Sequence, residues 1–205
     1  MPRSLCPKCD YPVITCLCET LATLPKLTTK VTLHVMQHPT EVTNKKNTIK
    51  LAQLVLDKLQ LYIGESSDDF VDLRAQVDTS TEPFIVLFPS DKALSWPQFN
   101  QQMPELTPER LNLILVDGTW RKAKKILLSN PWLQDLGHLT LAMTEQSQYG
   151  IRKTNVEGGL SSIEAIAYGL EQIEGTAPSS LLKLLSAFKN AFTKHMPADV
   201  KKRYR

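Results

Sequence analysis

Asp117, Gly118, Thr119 and Trp120 bring together an acid, a glycine, a hydroxyl and an aromatic ring directly after an apolar run. The run, residues 111–116, has the composition of a strand buried on both faces of a parallel sheet. Open α/β sheets bind their ligands at the carboxyl ends of such strands, so these four residues are candidates for a binding or catalytic site. The alternative is an Asp-Gly turn with Trp120 packed in the core.

The cysteines form a second group with chemical potential, because all four lie in one short window at Cys6, Cys9, Cys16 and Cys18. The pattern Cys-x-x-Cys followed by Cys-x-Cys favours four thiolates around a tetrahedral zinc ion. A disulfide pair or a redox dithiol is the alternative. A zinc ion with four protein ligands has no open position for a substrate, so we expect a structural site without catalysis.

Two further loops are predicted to reach the same edge of the sheet as the 117–119 turn. One is 89–91, after the apolar segment 84–88, and the other runs from 144 to 161 and contains three glycines. If the strands are parallel, these loops converge. Ser161 and Glu164 match a capping box, which marks a helix N-terminus, and such a terminus can also hold an anion.

Basic residues recur around these loops and could form an electrostatic footprint for RNA, although each of them alone is typical of a solvated surface. They occur in the segments 45–46, 121–125 and 152–153, with His38 and Glu41 nearby. The sequence contains neither of the standard glycine-rich nucleotide loops and no nucleophile elbow, so hydrolase chemistry is poorly supported.

The bulk composition is that of an ordinary folded protein: 205 residues, 42% hydrophobic, 22% charged and a net charge of +3. This length suits one domain with a small appended module. No apolar run approaches the ~20 residues of a membrane helix, and the N-terminus lacks the core of a signal peptide. We therefore expect a cytoplasmic protein without a membrane partner.

Hydrophobic periodicity predicts an α/β layered fold in which strands and helices alternate. The segment 64–82 and the proline-containing segment 97–108 are interpreted as connections. The predicted strands cover 31–36, 84–88, 111–116 and 138–142, and the predicted helices cover 48–60 and 121–128 and begin near Ser161 and Ser179.

Taken in order, the motifs of this chain resemble the DTW-domain family, and specifically bacterial tRNA-uridine aminocarboxypropyltransferases. The motifs are Cys6/Cys9/Cys16/Cys18, His38-Pro39-x-Glu41, Asn47-Thr48, Phe88-Pro89, Asp117-x-Thr119-Trp120, Arg152-Lys153 and Leu160-Ser161-Ser162-x-Glu164-Ala165. The resemblance implies a SPOUT-like α/β fold with a C-terminal trefoil knot. It also implies transfer of the 3-amino-3-carboxypropyl group from S-adenosylmethionine to N3 of a tRNA uridine, U47 in the variable loop, with release of methylthioadenosine.

With this resemblance, residues 1–25 are predicted to form the zinc-binding module and residues 26–205 the DTW catalytic domain. Asp117 is the candidate base or a group that orients the base, Thr119 holds the turn or the ligand, and Trp120 stacks on a base or packs in the core. The predicted S-adenosylmethionine contacts are Phe88, Pro89, Asp117, Gly118, Gly159, Leu160, Ser161, Ser162 and Glu164. The predicted tRNA contacts are His38, Glu41, Lys45, Lys46, Arg121, Lys122, Arg152 and Lys153.

Three other functions remain open at this level. A SPOUT-type RNA methyltransferase would share the fold and the cosubstrate, and a ribosomal RNA substrate would share the chemistry. A non-catalytic zinc-containing RNA-binding protein would explain the cysteines and the basic segments but would leave Asp117 without a task. The sequence does not indicate the oligomeric state.

Overall fold

A parallel sheet of five strands lies at the centre of the computed structural model, which describes residues 4–141, 160–175 and 179–194. The strand order is β2-β1-β4-β3-β5, so β4 lies in the middle. All neighbouring strands run parallel, which brings their carboxyl ends to one edge, here called the carboxyl edge. The strands are β1 Thr32–Gln37, β2 Leu59–Ile63, β3 Phe84–Leu87, β4 Asn112–Asp117 and β5 Gly137–Leu139.

Helices cover both faces of the sheet because the inner strands carry apolar side chains on both of their faces. Leu33, Leu113 and Leu115 pack in one core with residues of α3, α7 and α8. Ile114 and Val116 pack in a second core with residues of α4 and α6. The helices are α1 Cys18–Thr23, α2 Pro39–Val42, α3 Ile49–Val55, α4 Val71–Thr79, α5 Trp96–Gln102, α6 Trp120–Ser129, α7 Ser162–Glu174 and α8 Ser179–Lys194.

The pairing of β1 with β4 determines what lies at the carboxyl edge. Gln37 and Asp117 are the last residues of the two strands and are directly paired. Because side chains alternate along a strand, both belong to the face on which Leu33, Val35 and Leu115 pack against α7. The sheet therefore directs Gln37 and Asp117 toward the helix that begins at Ser162.

The strands expected at 31–36, 84–88 and 111–116 are confirmed to within about one residue, and the strand expected at 138–142 is the shorter β5. All six residues of β4 are buried, as its apolar run indicated. The helix expected at 121–128 is α6, and the helices expected from Ser161 and Ser179 are α7 and α8. The α/β fold class is confirmed in these elements.

Three local predictions were wrong. The helix expected at 48–60 ends at Val55, and the chain then forms β2, whose alternating leucines also fit helical spacing. The segment 64–82 contains α4 rather than only a connection. The segment 97–108 contains part of α5, because Pro97 lies in the first turn, where proline is tolerated, and Ser95 and Gln98 form a capping box.

The N-terminal cysteine segment is not separated from this core, because Cys9, Tyr11 and Leu17 pack in the same cluster as Phe188 of α8. The division into residues 1–25 and 26–205 stays a prediction. The expected trefoil knot depends on the path through 142–159, which lies outside the described residues. None of the described helices has the length and apolarity needed to cross a membrane.

Buried histidines make the stability of this fold dependent on pH. His34 and His138 are each 1% exposed, and burial lowers the pKa of both below the ordinary value. In the unfolded chain these histidines take up protons near pH 6.5, whereas in the folded chain they remain neutral to lower pH. The unfolded state therefore binds more protons as the pH falls, and stability falls with it.

We expect the melting temperature to decrease as the pH is lowered from about 7.5 to about 5.5. The decrease should be smaller in the His138→Asn variant. Asparagine keeps an oxygen that can accept from Ser90, which donates to His138 Nδ1 at 2.8 Å. Differential scanning fluorimetry across this range measures the effect. An equal pH dependence in wild type and variant would contradict the assignment to His138.

Candidate active site at the carboxyl edge

The Asp117 carboxylate is buried at the end of the central strand and is held from two sides. Asp117 as a whole is 3% exposed. The Gln37 amide donates to Oδ2 at 2.8 Å, and the Ser162 hydroxyl donates to Oδ1. The His38 backbone N–H donates to the Asp117 carbonyl oxygen at 3.0 Å. The bonds from Gln37 and Ser162 offset the desolvation of the buried carboxylate and fix its orientation.

Ser162 reaches Asp117 because α7 begins at this point. Ser161 is the N-cap, and its hydroxyl and backbone N–H donate to Glu164 Oε2 at 2.6 and 2.8 Å. The capping box predicted from the sequence is therefore confirmed. Ser162, the first residue of the helix, is partly exposed, whereas Glu164 is fully buried. The positive end of the helix dipole stabilises negative charge at Asp117.

The turn after Asp117 connects the strand to α6. The Thr119 hydroxyl is the N-cap of α6 and accepts from the Lys122 N–H at 3.4 Å. At Gly118, a Cβ atom would lie 3.0 Å from Lys122 Cβ, so a larger residue would require Lys122 to move by a few tenths of an ångström. Trp120 is 37% exposed, which rules out the alternative that places it in the core.

Phe88 brings a second aromatic ring to the same edge from the end of β3. Its ring centroid lies 5.8 Å from that of Trp120, with the two rings edge to face. Phe88 is partly buried and Pro89 is exposed, as is Thr119. The pair offers an apolar surface beside the acid, which is the kind of surface that planar ligand groups bind.

Two acids, one buried and one partly exposed, pair with lysines of α6. Glu41 is 1% exposed and accepts from Lys122 Nζ at 3.1 Å and from the Asn44 amide at 2.8 Å. Glu65 accepts from His38 Nε2 and from Lys125 Nζ, each at 2.7 Å. Lys125 and then His38 hold the pKa of Glu65 below its usual range.

The predicted tRNA contacts thus fall into different environments. His38, Glu41 and Lys122 are held in these internal networks. Lys45 and Arg121 are exposed, and Lys46 Nζ lies 5.9 Å from the ring centroid of Phe192. Gly159, Arg152 and Lys153 lie outside the described residues, and Leu160 is partly buried next to Ser161.

Sequence reasoning missed several residues that the structure brings to this edge. Gln37 lay one residue beyond the predicted strand, and only the pairing of β1 with β4 shows that it meets Asp117. Thr48, which the sequence analysis named only as part of the Asn47-Thr48 motif, accepts from the Ile163 N–H at 3.4 Å and so connects α3 to the start of α7. Glu65 follows β2, the strand that was not predicted.

The four cysteine sulfurs form a cluster whose size suits a metal ion. Sγ of Cys6 lies 3.6 Å from Sγ of Cys18, Sγ of Cys9 lies 3.7 Å from Sγ of Cys16, and all four lie within 4.8 Å of one another. These separations are far above the ~2.05 Å of a disulfide. The two shorter distances, 3.6 and 3.7 Å, are close to the ~3.8 Å edge of a tetrahedron with metal–sulfur bonds of ~2.3 Å.

The backbone around the cluster already favours a thiolate at one position. N–H groups of Cys9 and Lys8 lower the pKa of Cys6 to about 6. Hydrogen bonds with Cys16 and Cys6 raise the pKa of Cys18 to about 12, because a thiolate there would face the neighbouring sulfurs. A cation among the sulfurs would remove that penalty, so the donor set and its geometry fit zinc.

Comparison with known proteins identifies relatives over most of the chain. A profile described as the DTW domain matches residues 3–196. The tRNA-uridine aminocarboxypropyltransferase 2 of Drosophila melanogaster is 30% identical over 84% of this chain and 67% of its own length. The protein of that name from Macaca fascicularis is 29% identical over 84% of this chain and 57% of its own length.

A plant relative is covered more completely. The tRNA-uridine aminocarboxypropyltransferase A of Arabidopsis thaliana is 25% identical over 98% of this chain and 88% of its own length. None of the solved structures matches the chain. Because the macaque relative is covered over 57% of its length, it includes sequence that has no counterpart in this alignment.

The ion pair of Glu41 and the ion pair of Glu65 should differ in their contribution to stability. Lys122→Met would remove the lysine cation that binds the buried Glu41 at 3.1 Å, and loss of one partner of a buried ion pair costs about 3 kcal/mol of unfolding free energy. Lys125→Met removes a cation from the partly exposed Glu65 and should cost less than about 1 kcal/mol. Urea unfolding of both variants tests this, and equal losses would contradict the assignment of Glu41 as a buried charge.

Proposed function

We propose that this protein, which belongs to the DTW-domain family, transfers the 3-amino-3-carboxypropyl group of S-adenosylmethionine to N3 of a tRNA uridine. The names of its relatives in fly, macaque and plant support this reaction. The observation that carries the proposal is the buried Asp117 of the Asp-x-Thr-Trp motif, held by Gln37 and Ser162 at the carboxyl edge. U47 of the variable loop is the proposed position.

The reaction needs positioning and the removal of one proton. The uridine N3 lone pair forms a bond to the carbon next to the sulfonium, the bond from carbon to sulfur breaks, and its electrons remain on sulfur in methylthioadenosine. Because the leaving sulfur is already activated, no covalent enzyme intermediate is needed. The protein must align the two substrates and accept the N3 proton, and Asp117 is the acid of this edge suited to that task.

The groups around Asp117 would hold S-adenosylmethionine. We place its adenine against the edge-to-face pair of Phe88 and Trp120 and its carboxylate near the N-terminus of α7, where backbone N–H groups favour an anion. Pro89, Gly118, Gly159, Leu160 and Ser161 stay proposed contacts. Glu164 supports this site indirectly, because its carboxylate caps α7.

Residues at the N-terminal half of α6 and in the preceding loops would receive tRNA. Lys45 and Arg121 are exposed and are proposed to contact phosphates. His38, Glu41 and Lys122 would maintain the shape of this surface through their ion pairs. Lys46, Arg152 and Lys153 stay proposed tRNA contacts.

We further propose a SPOUT-like fold with a C-terminal trefoil knot and a structural zinc ion held by the four cysteines. A five-stranded parallel sheet with its site at the carboxyl edge suits that fold. When bound, the zinc ion would contribute folding free energy to the N-terminal segment. A cytoplasmic location also stays a prediction.

The test of the reaction class is mass spectrometry of nucleosides from unmodified tRNA incubated with the protein and S-adenosylmethionine. Aminocarboxypropyl-uridine together with methylthioadenosine is the expected result. Methyluridine with S-adenosylhomocysteine would instead establish a SPOUT-type methyltransferase. Cosubstrate binding without a tRNA product would redirect the search to ribosomal RNA, and absence of binding would favour an RNA-binding module.

Asp117→Ala should abolish transfer and leave the fold intact. Removal of an acid–base group costs about 100- to 10,000-fold in rate, and Asp117 lies at the end of β4, outside both apolar cores of the sheet. The assay is initial-rate formation of aminocarboxypropyl-uridine, with the melting temperature as a check of folding. Asp78→Ala, an exposed acid of α4, is the matched control and should retain activity. Near-normal turnover by Asp117→Ala would reject the role of Asp117.

The purified protein should contain about one zinc ion per chain, and Cys9→Ser should lose it. Because the binding free energy of the metal is folding free energy, the variant should also melt several degrees lower. Metal analysis by mass spectrometry and thermal unfolding measure the two effects. Glu19→Ser, an exposed residue of the same segment, is the control. A metal-free wild type with unchanged stability would contradict the zinc proposal.

A further inference from the structure

We propose that Ser162 is the catalytic residue that contacts uridine N3, and that it passes the N3 proton on to Asp117. This inference rests on the proposed aminocarboxypropyl transfer and assigns the proton acceptor within that same site. Asp117 then accepts the proton from Ser162 and does not contact the nucleobase. The sequence alone placed Ser162 only among the contacts of S-adenosylmethionine.

Burial separates the roles of the two residues. Asp117 is 3% exposed, and both of its carboxylate oxygens are engaged, with Gln37 on Oδ2 and Ser162 on Oδ1. Ser162 is partly exposed at the first position of α7. A general base must come within hydrogen-bond distance of the proton that it removes. A nucleobase that approaches the carboxyl edge can meet the Ser162 oxygen without displacing the partners of Asp117.

The direction of the hydrogen bond prepares Ser162 for this task. A serine hydroxyl has one donor and two acceptor positions. Since Ser162 donates to the Asp117 carboxylate, its lone pairs remain for an incoming N–H group. The neighbouring Ser161 cannot take this role, because its hydroxyl donates to Glu164 at 2.6 Å. Of the two serines, Ser162 alone is connected to Asp117 in this way.

The proton movements balance with the transfer step. The N3 proton passes to Ser162 Oγ as the hydroxyl proton of Ser162 passes to Asp117 Oδ1. At the same time N3 forms its bond to the aminocarboxypropyl carbon, and the electrons of the broken carbon–sulfur bond stay on sulfur. Asp117 becomes a neutral carboxylic acid and later loses its proton to solvent, while Ser162 is regenerated in the step itself.

The electrostatics of the site favour this route. Before the step, the site contains a carboxylate and a sulfonium cation, and after it both groups are neutral. Charge neutralisation of this kind is favourable where water is excluded, and Asp117 lies in such a place. Gln37, which is 2% exposed, is a positioning residue, because its bond to Oδ2 turns Oδ1 toward Ser162.

The first test measures transfer by Ser162→Ala on ordinary tRNA and on tRNA transcribed with 5-fluorouridine, whose N3 is more acidic. We expect a loss of about 100-fold in kcat on ordinary tRNA, with a KM for S-adenosylmethionine within a few-fold of wild type. The deficit should shrink on the fluorinated tRNA and at higher pH, because N3 then needs less help to lose its proton. Ser162→Thr keeps the hydroxyl and should retain most of the activity.

Two variants separate a proton relay from a structural role. Ser161→Ala removes the neighbouring hydroxyl, and its effect on rate should be the same at every pH and with both tRNAs. In the double variant Ser162→Ala/Asp117→Asn, the loss of transfer rate should be no greater than in Asp117→Asn alone, because the effects of residues that act as one unit do not add.

The outcomes distinguish this inference from the function on which it rests. If wild-type protein forms no aminocarboxypropyl-uridine, the proposed function fails. If wild type is active but Ser162→Ala has a normal kcat, or a deficit that neither fluorouridine nor pH changes, the relay is rejected. A raised KM for S-adenosylmethionine with an unchanged kcat would also reject it and would assign Ser162 to cosubstrate binding.

Discussion

The burial of one carboxylate constrains the arrangement of the whole carboxyl edge. Asp117 is 3% exposed, so its charge depends on hydrogen bonds that only other elements can supply. Gln37 meets it because β1 and β4 end in the same register, and Ser162 meets it because α7 begins against that face. A shift of β1 by one residue would turn Gln37 to the opposite face and leave the carboxylate without its amide partner.

Electrostatics explain why acids surround the start of α6. This helix has no acid in its first turn and carries Arg121 and Lys122 there, an arrangement that opposes the helix dipole. Glu41 and Glu65 compensate for it by pairing with Lys122 and Lys125. Because Glu65 also binds His38, whose backbone N–H reaches the Asp117 carbonyl, the same network fixes the turn beside the site. The start of α6 is thus held in place by acids that follow β1 and β2.

Sequence reasoning succeeded where one physical signal dominated. The apolar run before Asp117 defined β4, the spacing of the cysteines predicted their cluster, and Ser161 with Glu164 predicted the start of α7. It failed at β2 because Leu59 fits both a helical repeat and an alternating strand, and only the sheet selects between them. The contacts of Asp117 with Gln37 and Ser162 depend on strand register and helix packing between distant segments, which no local pattern specifies.

The cysteine cluster and the Asp117 carboxylate are connected through α3. Lys50 of α3 donates to the Asp10 backbone carbonyl at 2.6 Å, and Tyr11 packs against Phe188 of α8 with ring centroids 5.5 Å apart. Thr48, the N-cap of α3, accepts from the N–H of Ile163, the residue next to Ser162. A metal ion with four sulfur ligands would have no open position for a substrate, so its influence on the site would be mechanical. A metal ion that ordered the cysteine loop would fix the position of α3. In turn, α3 would fix the start of α7, where Ser162 donates to Asp117.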